Sequence, residues 1–130
     1  MIDIEAAVFD AVYQVVTTRI PPNSFKSEYV RNPASLPFAT LIEVDNMTDE
    51  RSRGTALDEE YSLIAYESNV YAMSKAECRA IAGLIDETLK RMNFACSSLR
   101  FTPNLSDPDI YRITGRYQAA VNANGDLYRR

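Results

Sequence analysis

The densest group of residues that could do chemistry in this 130-residue chain is acidic. Glu43 and Asp45 stand two apart in a strand-like stretch, a spacing that places both on one strand face. Glu59 and Glu60 open the next strand. Glu43, Asp45 and Glu60 together could hold Mg²⁺ for phosphoryl transfer. The plainer reading is a set of acidic side chains at strand ends facing water. The lysine that commonly accompanies nuclease carboxylates is missing from this segment. Asp45-Asn46-Met47-Thr48-Asp49-Glu50 superficially matches a calcium loop, but Met47 occupies a ligand position and the glycine and terminal glutamate are out of register.

Other chemistries are excluded by composition. The chain has no histidine, which removes Ser–His–Asp and Cys–His catalysis. Its two cysteines cannot close a zinc site alone. Cys78 and Cys96 read as reduced core residues. Asn46-Met47-Thr48 and Asn104-Leu105-Ser106 fit the glycosylation pattern, which means nothing without a secretory signal. The start, Met1-Ile2-Asp3-Ile4-Glu5, is acidic where such a signal is basic and then apolar, so synthesis in the cytosol is expected. With a net charge of −4 and a pI near 4.8, the chain is too acidic to coat nucleic acid. Arg112, Arg116, Arg129 and Arg130 are therefore expected to meet carboxylates of a neighbouring subunit rather than phosphate. Eight tyrosines, five phenylalanines and no tryptophan suit a wet, specific protein interface as well as an ordinary sheet.

The elements that position these residues follow from apolar spacing. The length fits one domain over 1–130, and no apolar run of about 18 residues spans a membrane. Ile4, Val8, Val12, Val15 and Val16, flanked by Phe9, predict a helix over 3–19 with Asp3 at its start. Pro21 and Pro22 end it. Strands are expected at 25–31, at 38–44, and at 59–72 with a bulge near Glu67. The polar stretch 45–58 is expected to be an exposed loop. Ser74 and Glu77 form a capping box. It starts a helix that runs to about Met92, with Cys78, Ile81, Leu84, Ile85, Leu89 and Met92 inward and Asn93 as its stop. Residues 94–102 and 109–121 read as strands, and Asn124-Gly125 as a turn. The order α-β-β-β-α-β-β predicts an α+β domain, a mainly antiparallel sheet with both helices on one face. Arg112, Thr114, Arg116, Gln118 and several tyrosines would occupy the other face, a candidate for subunit contact.

The segment Phe38-Ala39-Thr40-Leu41-Ile42-Glu43-Val44-Asp45-Asn46 precedes a polar loop and the strand Tyr66-Glu67-Ser68-Asn69-Val70-Tyr71. Further on come the helix Ile81 to Met92, the strand Tyr111-Arg112-Ile113-Thr114-Gly115-Arg116-Tyr117, and the ending Tyr128-Arg129-Arg130. Over roughly residues 36–130 this resembles the tail terminator (tail completion) proteins of long-tailed siphophages and related prophages. The resemblance implies an α+β subunit of a hexameric ring in the virion. Such a ring caps the tail tube, stops its polymerisation and meets the head completion or connector protein, with no reaction and no cofactor. Its partners would be copies of itself, the tail tube protein and that connector, while DNA passes through unbound. A head-to-tail ring needs two unlike complementary patches. The candidates are Tyr61, Arg112, Arg116, Gln118, Arg129 and Arg130 for subunit contact. Asp45, Asp49, Glu50, Arg51, Arg53, Asp58 and Glu59 would face the lumen or the tube, where an acidic wall lets DNA slide. The alternatives are another phage neck protein, the small metal-dependent enzyme above, or an acidic inhibitor of a host factor.

Overall fold

A computed structural model describes residues 2–30, 35–48, 61–103, 107 and 109–129. The elements are α1 (Glu5–Val16), β1 (Phe25–Lys26), β2 (Phe38–Thr48), β3 (Tyr61–Ala72), α2 (Lys75–Arg91), β4 (Ala95–Phe101), β5 (Tyr111–Asn122) and β6 (Leu127–Arg129). The fold is α+β, and the expected order stands with β6 added at the end. Among the described residues no helix is long and apolar enough to cross a membrane.

α1 forms because apolar residues recur on one side, and Val8, Val12 and Val16 are fully buried. Asp3 Oδ1 accepts the Glu5 amide at 3.1 Å, which fixes the entry. The helix stops three residues short of the expected end. The hydroxyls of Thr17 and Thr18 donate to the carbonyls of Tyr13 and Val15, competing with a further helical turn. α2 starts as expected, with Ser74 Oγ accepting the Glu77 amide at 3.4 Å. It buries Cys78, Ile81, Ala82, Ile85, Thr88 and Leu89. Its C-terminal pairs Lys90–Asp86 (2.9 Å) and Arg91–Glu87 (3.2 Å) sit where cations suit the helix dipole. Asn93 takes the left-handed stop, at φ 71°.

The sheet runs β1-β2-β3-β5-β4, and β6 also pairs with β5. Only β1 is parallel to its neighbour, β2. β4 and β6 follow one another along the same edge of β5, opposite residues 113–118 and 119–121. Both helices pack on one sheet face. Val8, Val12, Val16, Ile81, Ile85 and Leu89 share a core with Leu41, Ile64, Tyr66, Val70, Ile113, Tyr117, Ala119 and Val121. Gly115 belongs to this face, and a Cβ there would lie 2.7 Å from Ser68 Oγ.

Three expectations are corrected. The strand read at 25–31 is only Phe25–Lys26. β2 runs four residues past its expected end, so Asp45 to Thr48 are strand, paired with Ala65 to Ser62. That antiparallel pairing outweighs the low strand propensity of Asp and Asn. The bulge lies in β2, between Glu43 and Asp45, whereas β3 is continuous through Glu67. Residues 49–60, which hold the rest of the expected polar loop, lie outside the described residues.

Thr40 is 2% exposed, and its hydroxyl has no partner among the described residues. Thr40→Val keeps the shape and removes the unpaired group. It should raise stability by about 1 kcal/mol, read from the urea midpoint.

Candidate functional site

The face away from the helices is built by the alternate residues of each strand. Across it, β3 Tyr71 lies between Phe38 and Arg112, Asn69 between Thr40 and Thr114, and Glu67 between Ile42 and Arg116. Arg100 and Ser98 of β4 continue the last two rows. The expectation that Arg112, Thr114, Arg116 and Gln118 share this face is met, and Tyr61 joins them from β3.

A polar network holds the arginines. Arg116 Nη2 meets Glu67 Oε2 at 3.0 Å. Asn69 Nδ2 donates to the other Glu67 oxygen at 3.1 Å. Asn69 Oδ1 accepts Arg112 Nε at 2.9 Å and the Thr114 hydroxyl at 3.0 Å. Thr102 donates to Thr114 at 2.9 Å. The Arg112 guanidinium also lies over the Tyr71 ring, 5.5 Å from its centroid. Asn69 and Glu67 are buried beneath, while the Arg116 side chain stays 56% exposed. The guanidiniums are thus oriented before any partner arrives, which cuts the ordering cost of binding.

The other end of the face is apolar. Met47, Leu63, Ala120 and Tyr128 form one row across β2, β3, β5 and β6. Met47 and Tyr128 are among the exposed large apolar residues. Tyr61 packs edge-on against Tyr128, with ring centroids 6.1 Å apart. A shallow depression of about 160 Å³ includes Asp45, Met47, Leu63, Ala65 and Gln118 in its lining. The face therefore offers oriented cationic donors at one end and apolar area at the other, an arrangement suited to gripping a protein surface.

Of the remaining expected site residues, Arg129 and Asp45 are among the described ones. Arg129 sits in β6 opposite Ala119, in register with the helix-bearing face rather than with Arg112 and Arg116. Arg130, Asp49, Glu50, Arg51, Arg53, Asp58 and Glu59 lie outside the described residues. Asp45 is exposed on β2 rather than in a loop.

The carboxylate pair is also corrected. The bulge between Glu43 and Asp45 breaks the two-residue alternation. Glu43 pairs with Tyr66 on the helix side, and Asp45 pairs with Ala65 on the open side. Glu59 and Glu60 lie outside the described residues. Among the described residues no three metal-ligating side chains gather.

Glu43 instead accepts the Tyr66 hydroxyl at 3.2 Å, beside α1. Burial pushes its carboxyl above the ordinary range, Tyr66 opposes this, and the charges of Glu5 and Asp3 push it further up. Burial raises Tyr66 as well, and Glu43 adds to the shift. The folded protein therefore holds a proton on Glu43 at a pH where the unfolded chain has lost it. Stability should fall as pH rises from about 4.5, the unperturbed value, through the raised one. Glu43→Gln removes the charge and keeps an acceptor for Tyr66. It should flatten that fall and raise Tm at pH 7, as followed by circular dichroism from pH 4 to 8.

The cysteines are free, with Cys78 buried and Cys96 half-buried. Burial pushes the Cys78 thiol up to about 11, and its Sγ–H donates to the Val70 carbonyl at 3.3 Å. This is the structural role expected of it.

Sequence reasoning missed Asn69, Glu67 and Thr102 as the supports of the arginines, and Arg100 as their neighbour. The alternation in β3 and β5 was legible. The register that sets Asn69 against Thr114 was not, because α2 and β4 separate the two strands in sequence. No protein-family model matches the chain, and no curated protein matches it. Among solved structures, a chain from the virion of a native gene transfer agent (GTA) particle is similar, with a TM-score of 0.60 and 15% identity. The match covers 92% of this chain and 94% of that one, and it shows a common fold over nearly the whole of both.

Proposed function

We propose that this protein is a structural component of a virion, and within it the tail terminator. Copies would close into a ring, a hexamer by the family resemblance, over the end of the tail tube. The ring would stop polymerisation and present a surface to the head completion or connector protein. The observation that carries the virion role is the end-to-end fold likeness to a chain of a gene transfer agent virion, at TM-score 0.60. The tail-end role rests on the sequence resemblance, with Tyr66–Tyr71, Tyr111–Tyr117 and the ending Tyr128-Arg129-Arg130 as its most specific parts.

The open sheet face supports assembly. Its arginines are oriented by Asn69 and Glu67, and an apolar row lies at its other end. Such a face works by shape and charge and transforms no molecule. Asp45 and the acidic residues up to Glu59 would line the lumen or the tube contact. DNA would then pass without binding, since phosphate affinity is dominated by positive charge. The partners are further copies, the tube protein and the connector, and no cofactor is required.

The virion likeness also suits another neck component, and ring symmetry separates the two readings. Purified protein added to isolated tail tubes should appear by negative-stain microscopy as sixfold rings at tube ends. Twelvefold rings bound to portals would favour a head-side adaptor instead. Tubes with bare ends at saturating protein would remove the terminator reading.

A further inference from the structure

Charge is divided unequally between the two sides of this molecule. From Ile2 to Thr18 the chain carries Asp3, Glu5 and Asp10 and no lysine or arginine. Asp3 precedes α1 and Asp10 lies within it, and both are exposed. Glu43 on β2 lies close enough to Glu5 and Asp3 to feel their charges. Among the described residues, none of these four carboxylates has an ion-pair partner. The open sheet face is the reverse. It carries Lys26, Arg100, Arg112 and Arg116 against Asp45 and Glu67, and Glu67 is already taken by Arg116. Among the described residues the Arg112 side chain meets the neutral Asn69 and the Tyr71 ring, and Arg100 is exposed. Asp3 and Glu5, at the start of α1, also lie at the opposite end of the sheet from Arg112, whereas Phe9, beside Asp10, reaches back to stack on Phe25 of β1. The start of α1 sits by Asn46 and the turn at Gly125, where Asn46 Nδ2 donates to the Ile2 carbonyl at 2.8 Å. Arg112 lies where β3 ends and β5 begins.

We infer that the open sheet face binds the acidic N-terminal segment, Asp3 to Asp10, of a second copy of this chain, with Arg100 and Arg112 against the exposed carboxylates of Asp3 and Asp10. The inference rests on the assembly reading above and names the two surfaces that meet. Unlike surfaces on opposite sides of the sheet make a head-to-tail contact, which propagates until rotation closes it into a ring. Arginine suits the task because its planar fork grips carboxylates bidentately. The contact also relieves repulsion among Asp3, Glu5 and Glu43, which nothing described in the isolated subunit neutralises.

Charge reversal followed by sedimentation velocity tests this, with circular dichroism confirming the fold of each variant. Arg100 and Asp10 are exposed and can be changed without disturbing the Asn69 network. The wild-type protein should self-associate at low salt and dissociate as salt is raised. Arg100→Glu and Asp10→Lys should each weaken association by about tenfold. A chain carrying both should recover most of the loss, because the reversed surfaces again complement each other. Arg112→Gln gives a second check that removes a single charge. A wild-type protein monomeric at every concentration, or association indifferent to both reversals, overturns the inference. So does a face that binds short duplex DNA through Arg100 without self-association. Each of these leaves the terminator reading to be decided separately, by tail length in the absence of the gene.

Discussion

Asn69→Ala should lower the unfolding free energy by about 3 kcal/mol, and its effect should reach beyond position 69. Asn69 is fully buried, yet it lies on the face without helices. It donates to Glu67 and accepts from Arg112 and Thr114. Alanine leaves one Glu67 oxygen and the Thr114 proton without their partner in a site little water enters. Hydrogen bonds to charged groups contribute about 1.5–3 kcal/mol each, but the Arg112 fork can turn to water and recover part of its share. The loss is read as a lower urea midpoint at unchanged slope. Asn69→Asp is a sharper case. It keeps the acceptors for Arg112 and Thr114 but sets a second carboxylate against Glu67. Its deficit should therefore shrink on acidification, while that of Asn69→Ala should not.

Gly115→Val should cost about 3 kcal/mol for a different reason. A Cβ at this position would come within 2.7 Å of Ser68 Oγ, 2.9 Å of Tyr117 Cε2 and 3.0 Å of Leu99 Cδ1. Leu99 is exposed on β4 and can rotate away. Ser68 and Tyr117 are each 1% exposed, and Tyr117 is pinned through its hydroxyl to Asp86 at 2.9 Å. The ring therefore cannot yield without breaking its link to α2, and the added methyls of valine make the crowding worse. Gly115→Ala should show the same effect at smaller size. Ser68→Ala in the same chain should recover part of it by removing the closest atom, and a double-mutant cycle measures this coupling.

How much was legible in the sequence depends on the range of the interaction. Both helices, the split of β5 into an arginine face and an aromatic face, and the α+β order followed from local periodicity. Asn93 and the Ser74–Glu77 start were legible because capping is local chemistry. Three features were not. The extension of β2 through Asp45 to Thr48 depends on pairing with β3, which overrides poor local propensity. The bulge by Val44 flips the facing of Glu43 relative to Asp45 and dissolves the metal site that strict alternation had suggested. The support of Arg112 by Asn69 joins residues 43 positions apart, across strands that are not consecutive. That signal exists only once the register is known. Asn69 and Glu67 on one face of β3, with arginines on one face of β5, would have been the clue had the two strands been assumed adjacent.

The most direct test of the proposed role is the length of tails made without this protein. Deleting the gene and imaging the particles should reveal tubes that run past their normal length and fail to join heads, with both defects reversed by supplying the intact chain. Tails of normal length joined to heads in the deletion strain would contradict the account.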